Sequence, residues 1–457
     1  MILGESDVGL KNQLLLELEG GEWKREWWWH LLIQVCQRWR YLVLQSASHL
    51  RLSLVCARGT PVANMLAHSP PFPLIIDHLG EEYHDLTPED EEGITFALQH
   101  RDRVRRIRLM KPIPILQKLI RALDSEFPIL EFLYIQNERY YRPVVELTNL
   151  KIPEAFRAPH LRHLVIKNFA IPIGSPVLTT MRNLVTMSLQ NIPSSCYFHP
   201  NALLQRLTLM PQLETFGMTL ESYNPSRDVE RQLLRTSITT RVTLPNLRWL
   251  GFKGTSAYLE ALLPWVTIPL LEKLQVYFFN RMIYSIPHLQ QIVSTARNLR
   301  LKVATFDFHQ KHLLVTAYPY KGSRMYTLHM SLGGRHLDWQ VVSAAQVFGA
   351  LRKVSSTVED LTLKYGRHGL SSEWNDVADR TRWRELFGLF GNVKTLHVNS
   401  GLIEQISRAL QHDEGESPTE PLPKLEKLSY FGRSTSPNPF TLFIDARQKA
   451  GHPVTIV

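Results

Sequence analysis

Pro159-His160-Leu161-Arg162-His163-Leu164-Val165-Ile166 is the stretch whose reading decides the fold of this chain. Its skeleton is Pro, any residue, Leu, two residues, an apolar residue, one residue, an apolar residue. It returns at Pro128-Leu130-Leu133-Ile135, Pro211-Leu213-Phe216-Met218, Pro245-Leu247-Leu250-Phe252, Pro269-Leu271-Leu274-Val276 and Pro423-Leu425-Leu428-Tyr430. At ordinary composition the apolar triple alone would fall by chance about a dozen times or more in a chain of this length, but Pro two residues ahead cuts the expectation to roughly one. Six copies are therefore a repeat. Copies without the Pro lie between them, at Val104-Ile107-Leu109, Leu184-Met187-Leu189, Val358-Leu361-Leu363 and Val393-Leu396-Val398.

Alternation gives each copy a physical reading. Leu164 and Ile166 are two apart and share one face of a strand, while Val165 points to the other. The Pro cannot continue a helix and biases its neighbour to extended geometry, so it marks where helix ends and strand begins. The segments between copies carry helix-period apolar residues, as in Ile115-Leu116-Leu119-Ile120-Leu123 and Tyr258-Leu259-Leu262-Leu263. From position 104 to 271 the copies recur about every 28 residues, within the period of leucine-rich repeats. A strand-plus-helix unit cannot bury its apolar side alone, and stacked units build one core. The expectation is an irregular α/β leucine-rich-repeat solenoid with parallel strands on its concave face. Strands are predicted near 104–109, 130–135, 161–166, 184–189, 213–218, 247–252, 271–276, 358–363, 393–398 and 425–430.

The 457 residues are 44% hydrophobic, the composition of a folded protein. Cys36, Cys56 and Cys196 are odd in number, far apart and without metal-ligand spacing, which points to a reducing, intracellular compartment, cytoplasmic or nuclear. No charge-free apolar run reaches about 18 residues, and the first residues lack a basic segment followed by an apolar one, so neither a membrane span nor secretion is expected. The formal net charge is +10, but the basic residues are spread along the whole chain. The densest run, Arg101 to Arg108, follows the acidic run Glu81 to Glu92 and reads as one of two solvated faces of opposite sign, which argues against nucleic acid as the partner.

Glu26 through Leu44 reads as one helix, with Trp28, Leu31, Leu32, Val35, Trp39, Leu42 and Val43 at three- and four-residue spacings. Val35, Cys36 and Trp39 are expected to cluster with Leu31 and Leu32. Trp27, Trp28 and Trp29 cannot all face one core, since helix neighbours are about 100° apart. Beyond them come a turn at Ser69–Pro73, a strand at Leu74-Ile75-Ile76, and an acidic helix N-terminus at Glu89–Glu92 after Pro88. Residues 300–350 lose the phrase, with alternating Phe306 and Phe308, and Tyr326, Leu328 and Met330. Residues 411–423 have the composition of a disordered insert. The division read from these shifts is a helical segment over 1–60, a transition or cap over 61–102, repeats over 103–435, and a C-terminal cap or tail over 436–457.

The helical segment carries a resemblance. Leu32-Ile33-Gln34-Val35-Cys36-Gln37-Arg38-Trp39-Arg40 with Leu42-Val43 resembles the second half of an F-box, and the whole arrangement is similar to the F-box and leucine-rich-repeat proteins of mushroom-forming fungi. In that family the F-box docks on a Skp-type linker of a cullin ubiquitin ligase and the repeats hold a substrate. The resemblance implies a linker-binding surface at Leu32, Val35, Cys36 and Trp39. It departs from the family at the first F-box helix: Leu14-Leu15-Leu16-Glu17-Leu18-Glu19 has no Leu-Pro-x-Glu phrase, so the F-box is degenerate or truncated.

Strand alternation places a second surface. If Leu133 and Ile135 face the core, then Phe132 and Tyr134 face the concave side, and the same parity puts Arg106, Arg108, His163, Lys167, Trp249, Lys253, Lys273 and Tyr277 there. Aromatic and cationic residues on successive strands are types enriched in interface hot spots. They are read as exposed and as holding a protein substrate with an acidic segment; the alternative is that residues 433–457 or a loop fold back over the aromatics. Catalytic motifs are absent: there is no Gly-x-Ser-x-Gly, Walker loop or His-Glu-x-x-His, and His309 with His312 lacks a third ligand. No enzyme, cofactor or metal is expected. The two function classes are a substrate-recognition adaptor of a ubiquitin ligase, and a solenoid scaffold that binds protein or nucleic acid without that linkage.

Overall fold

The computed structural model describes residues 28–46, 49–50, 52–79, 87–137, 152–169, 171–193, 196–220, 237–279, 285–365, 378–411, 421–431 and 439–457. The chain divides into two compact units, residues 1–164 with 174–181, and 165–173 with 182–457.

In the first unit the elements run α1 (Trp28–Val35), α2 (Gln37–Gln45), β1 (Leu54–Cys56), α3 (Val62–His68), β2 (Leu74–His78), α4 (Pro88–Gln99), β3 (Val104–Lys111), α5 (Ile113–Arg121) and β4 (Phe132–Asn137), with α6 (Pro176–Thr179) returning to it. β1 to β4 pair in chain order and all in parallel, so repeat-type pairing already begins at Leu54. α4 starts as the sequence predicts: Thr87 Oγ1 accepts from the Asp90 amide at 3.1 Å, Pro88 opens the first turn, and Glu89, Asp90 and Glu91 sit in it against the helix dipole. The dense basic run finds its own partners, Arg101 with Asp124 at 2.7 Å and Arg105 with Glu131 at 3.0 Å.

The N-terminal helix is not continuous. Cys36 is extended at φ −162° and ψ 170°, and the chain folds back into the α1–α2 hairpin, where Arg40 Nε donates to the Ile33 carbonyl at 3.1 Å. The break has a geometric reason. On one straight helix Trp29 and Val43 would stand about 21 Å apart, whereas in the hairpin both are buried.

The second unit holds β6 (Thr186–Ile192), α7 (Pro200–Leu207), β7 (Thr215–Leu220), β8 (Val242–Thr243), β9 (Trp249–Gly254), α8 (Ser256–Leu262), β10 (Val266–Thr267), β11 (Lys273–Phe278), α9 (Pro287–Thr295), β12 (Val303–Phe308), β13 (His312–Tyr318) and β14 (Leu328–Gly333). It continues through α10 (Leu337–Ala350), α11 (Arg352–Ser355), β15 (Asp360–Tyr365), α12 (Arg380–Phe387), β16 (Thr395–Asn399), α13 (Ile403–Leu410), β17 (Lys427–Phe431), α14 (Thr441–Lys449) and β18 (Thr455–Ile456). β5 (His163–Lys167) contains the division between the units. The spatial order in the second unit is β6-β7-β9-β11-β14-β13-β12-β15-β16-β17-β18, and β8 with β10 makes a separate parallel pair. The residues after 438 add a further helix and a strand parallel to β17.

Every predicted strand exists; β3 begins at Val104 itself, and the other nine begin two residues after the first apolar position of the phrase. The first apolar positions, Val104, Leu130, Leu161, Leu184, Leu213, Leu247, Leu271, Val358, Val393 and Leu425, are all 1% exposed or less. Burying each such side chain contributes about 1.5–3 kcal/mol. Residues 300–350 depart from the pattern by an insert: β13 runs antiparallel between β12 and β14, whose outer neighbours β15 and β11 they join in parallel. Phe306 and Phe308 are its core side, packed on Phe348 at 5.1 Å and Trp383 at 5.4 Å between ring centres. Gly333 and Gly334 close β14, where Gln340 Nε2 donates to the Gly334 carbonyl at 2.8 Å. The insert-like residues 412–420 lie outside the described residues.

Candidate functional site

Three groups of residues carry functional potential, and each is set by the element beneath it. The first is the α1–α2 hairpin. Trp29, 3% exposed, meets the edge of Phe72 at 5.6 Å and with Val43 anchors the hairpin. The expected buried cluster of Leu31, Leu32, Val35, Cys36 and Trp39 is not what forms: Leu31 is 70% exposed, Val35 64% and Trp39 47%. Cys36 is exposed and Leu32 half-buried. Trp29 and Val43 anchor the hairpin, and Leu31, Val35, Trp39, Tyr41 and Leu42 are left exposed.

The second group is on the face of β2–β4 opposite the core. Arg106 pairs across from Phe132 and Arg108 from Tyr134, and the Phe132 and His163 rings stand 5.9 Å apart, so five of the predicted residues do come together. They are less open than parity suggests. Arg108 and Tyr134 are buried; Arg108 Nη1 reaches Asp77 Oδ2 at 2.9 Å, and the Tyr134 hydroxyl donates to Gln136 Oε1. Burial first, then the Arg162 and Arg106 guanidinium groups, hold the His163 imidazole below its ordinary pKa.

The third group is the same face of the second unit. Lys273 stands opposite Trp249, and Tyr277 opposite Lys253. Trp249 and Tyr277 are buried, and so is Lys167, against the expectation of exposure. The indole of Trp249 takes the space that side chains at Gly217 and Gly251 would fill: a Cβ on Gly251 would come within 2.2 Å of the ring. Tyr277 is drawn into a network that sequence reasoning missed. The Tyr326 hydroxyl donates to Gln275 Oε1 at 3.0 Å, Gln275 Nε2 donates to the Tyr277 hydroxyl at 3.2 Å, and His329 packs 5.4 Å from Tyr277 with Nδ1 3.2 Å from Thr316 Oγ1. Burial lowers the His329 pKa to about 4. Gln275 was available to the parity rule as the residue between Lys273 and Tyr277; His329 was not, since its strand lacks the phrase.

Farther along this face Asp360, His397 and Ser429 form a chain, with His397 Nδ1 against Ser429 Oγ and Nε2 3.2 Å from Asp360 Oδ1. These are the residue types of an acyl-transfer relay. The setting is not one: Ser429 is 4% exposed in a strand paired on both sides, and Lys321 holds the other Asp360 oxygen at 2.9 Å. It is a cross-strand polar ladder.

Asparagines were also missed. Asn168 and Asn191, each two residues past the last apolar position of its phrase, take positive φ of 61° and 54°, and Asn191 Nδ2 donates to Asn168 Oδ1 at 2.7 Å. Asn is among the few side chains that enter this region readily, and its amide satisfies the neighbouring turn. The readable signal was Leu-x-x-Leu-x-Ile-x-Asn.

Among the described residues no group of three or more His, Cys, Asp or Glu could hold a metal ion, and no helix is long and apolar enough to cross a membrane. An apolar void of about 30 Å3, lined by Phe216, Leu250, Phe252, Leu259 and Ile268 among others, is a packing defect of the core. Recurrent Leu-led parallel strands, intervening helices and turn asparagines define the irregular α/β leucine-rich-repeat fold. No protein-family model and no curated protein sequence matches the chain. Among solved structures it is similar to a leucine-rich repeat-containing protein, LegL7 from Legionella pneumophila, at 10% identity and a TM-score of 0.27, over 88% of this chain and 99% of that one.

Proposed function

We propose that this chain is the substrate-recognition adaptor of a Skp-cullin-F-box type ubiquitin ligase, acting in the cytoplasm or nucleus. In this reading α1–α2 docks on a Skp-type linker subunit and the sheet face opposite the core holds a protein substrate. The observation that carries it is the exposure of Leu31, Val35, Trp39 and Leu42 on a hairpin anchored by Trp29 and Val43. Several large apolar side chains left outside the core on one short hairpin suit a protein contact. The contact residues are Leu32, Val35, Cys36 and Trp39, with Arg38 and Arg40 at the rim.

Substrate capture is proposed at Arg106, Arg108, Phe132, Tyr134 and His163 on the first unit, and a separate candidate face at Lys167, Trp249, Lys253, Lys273 and Tyr277 on the second. On the first unit Arg106 selects an acidic segment and Phe132 supplies aromatic contact; on the second Lys253 and Lys273 present the cations. Co-purification with a Skp-type subunit tests the reading. Capture by the wild-type chain that is lost in Val35→Glu/Trp39→Glu, with an unchanged melting temperature, is the expected result. Absence of capture in the wild type removes the ligase linkage and leaves a leucine-rich-repeat scaffold for protein binding. On the substrate side, Arg106→Ala for the first unit and, separately, Lys253→Ala/Lys273→Ala for the second are each expected to weaken capture of an acidic peptide without lowering the melting temperature.

A further inference from the structure

The residue that follows the first apolar position of each phrase enters its strand on a row of its own. In the first unit this row reads Arg105, Glu131, Arg162; in the second it forms two runs, Glu214, Arg248, Glu272 before the antiparallel insert and Lys302, Glu359, Lys394, Glu426 from β12 onward. Within each run the sign alternates without exception. In register the charged runs end on uncharged residues: Val185 beside Glu214, Tyr326 beside Glu272 and Val454 beside Glu426.

The backbone ties the row together. The amide of Glu131 donates to the Arg105 carbonyl and that of Arg162 to Glu131, both at 2.9 Å. Arg248 donates to Glu214 and Glu272 to Arg248, both at 2.8 Å, and the same link joins Glu359 to Lys302, Lys394 to Glu359 and Glu426 to Lys394. Side chains follow: Arg105 with Glu131 at 3.0 Å, Arg248 with Glu272 at 2.9 Å, and Glu359 bridged by Lys302 and Lys394, the latter at 3.3 Å. The two lysines hold the Glu359 carboxyl below its usual range.

These groups are half-exposed, where an ion pair stabilises a native fold little. Their order says more than their strength. The apolar phrases are nearly interchangeable, so core burial does not distinguish the next strand from the next but one, and parallel sheets pair through long crossovers that allow such errors. Inside each charged run a correct neighbour meets an opposite charge, and a strand that skips one repeat meets a like charge about 5 Å away. We propose that this alternating row fixes the order in which the repeats pair, by making a skipped repeat a like-charge contact.

The test is refolding from denaturant at low salt with three variants. Glu131→Arg puts three cations in a row; Glu131→Gln removes the charge; Arg105→Glu/Glu131→Arg/Arg162→Glu restores alternation with inverted sign. The expected result is that E131R recovers at least about three-fold less native monomer than E131Q, that salt near 1 M relieves the deficit by screening, and that the inverted triple recovers as well as wild type. Equal recovery of E131R and E131Q would overturn the proposal, as would an inverted triple no better than E131R. Melting temperatures of the native fractions separate this from simple destabilisation: they are expected to agree within a few degrees, and a drop in E131R that matches its lost recovery would assign the row to native stability instead.

Discussion

The α1–α2 hairpin and helix α13 use similar residues to opposite ends. α13 turns Ile403, Ile406, Ala409 and Leu410 into the core and leaves Glu404 and Arg408 outside, 3.8 Å apart. The hairpin spends two residues on anchorage and leaves Leu31, Val35, Trp39, Tyr41 and Leu42 exposed. Apolar periodicity thus marks a helix equally well in both places, but only the anchors reveal which side the protein itself uses. These side chains stay outside the core of the described residues, and that is the basis for the proposed partner contact.

The comparison breaks most clearly at tryptophan. Trp383 is fully buried against Phe308, so Trp383→Ala is expected to lower unfolding free energy by roughly 3–5 kcal/mol, read in chemical denaturation. Trp29→Ala should cost roughly 3 kcal/mol, with the loss confined to the hairpin: amide exchange should accelerate in 28–45 and leave β11–β17 protected. Global destabilisation in that variant would merge the two regions into one cooperative unit.

Acid sharpens the contrast. His78, His312 and His329 are each lowered to about 4, with burial the largest cause. A depressed imidazole stays neutral in the folded state, so the unfolded chain binds the extra protons between these values and about 6.5, and stability rises with pH across that window. Each histidine contributes on the order of 2 kcal/mol that is full above about pH 6.5 and lost as pH falls toward 4. Residues 31–45 contain no Asp, Glu or His. A melt monitored from pH 7 to pH 4 should therefore weaken the sheets, and His329→Gln should flatten the slope. The smallest effect is expected at Trp39→Ala: within about 0.5 kcal/mol in stability, while co-purification with the linker is lost. A large stability loss there would show that the exposed indole is structural after all.

Much of this fold was legible because Pro-x-Leu carries two separable instructions, a stop for the helix and a buried side chain ahead of the ladder. Except for β3, the strands begin two residues late because the first apolar residue belongs to the turn that enters the sheet. The break at Cys36 was hidden because neither Gly nor Pro announces it; its cause is the joint burial of Trp29 and Val43, a tertiary demand. Parity identified the face of Arg108 and Tyr277 but not their exposure, since Asp77 and Gln275, on the same face, draw them in. His329 stayed out of sight because the insert that carries it has no phrase to set its register.

That insert has a consequence for how the protein is made. The chain leaves β11, lays down β12 three positions away, and only then fills the gap backward with β13 and β14 before resuming at β15. A nascent chain emerging from the ribosome can pair β12 with β13 once Tyr318 is made, but that pair joins β11 only after β14 has been synthesised through Gly333. Growth of the sheet halts over that interval, and the edge of β11 waits for a strand some 50 residues downstream in translation, the longest exposure of an open edge that the regular repeats never impose.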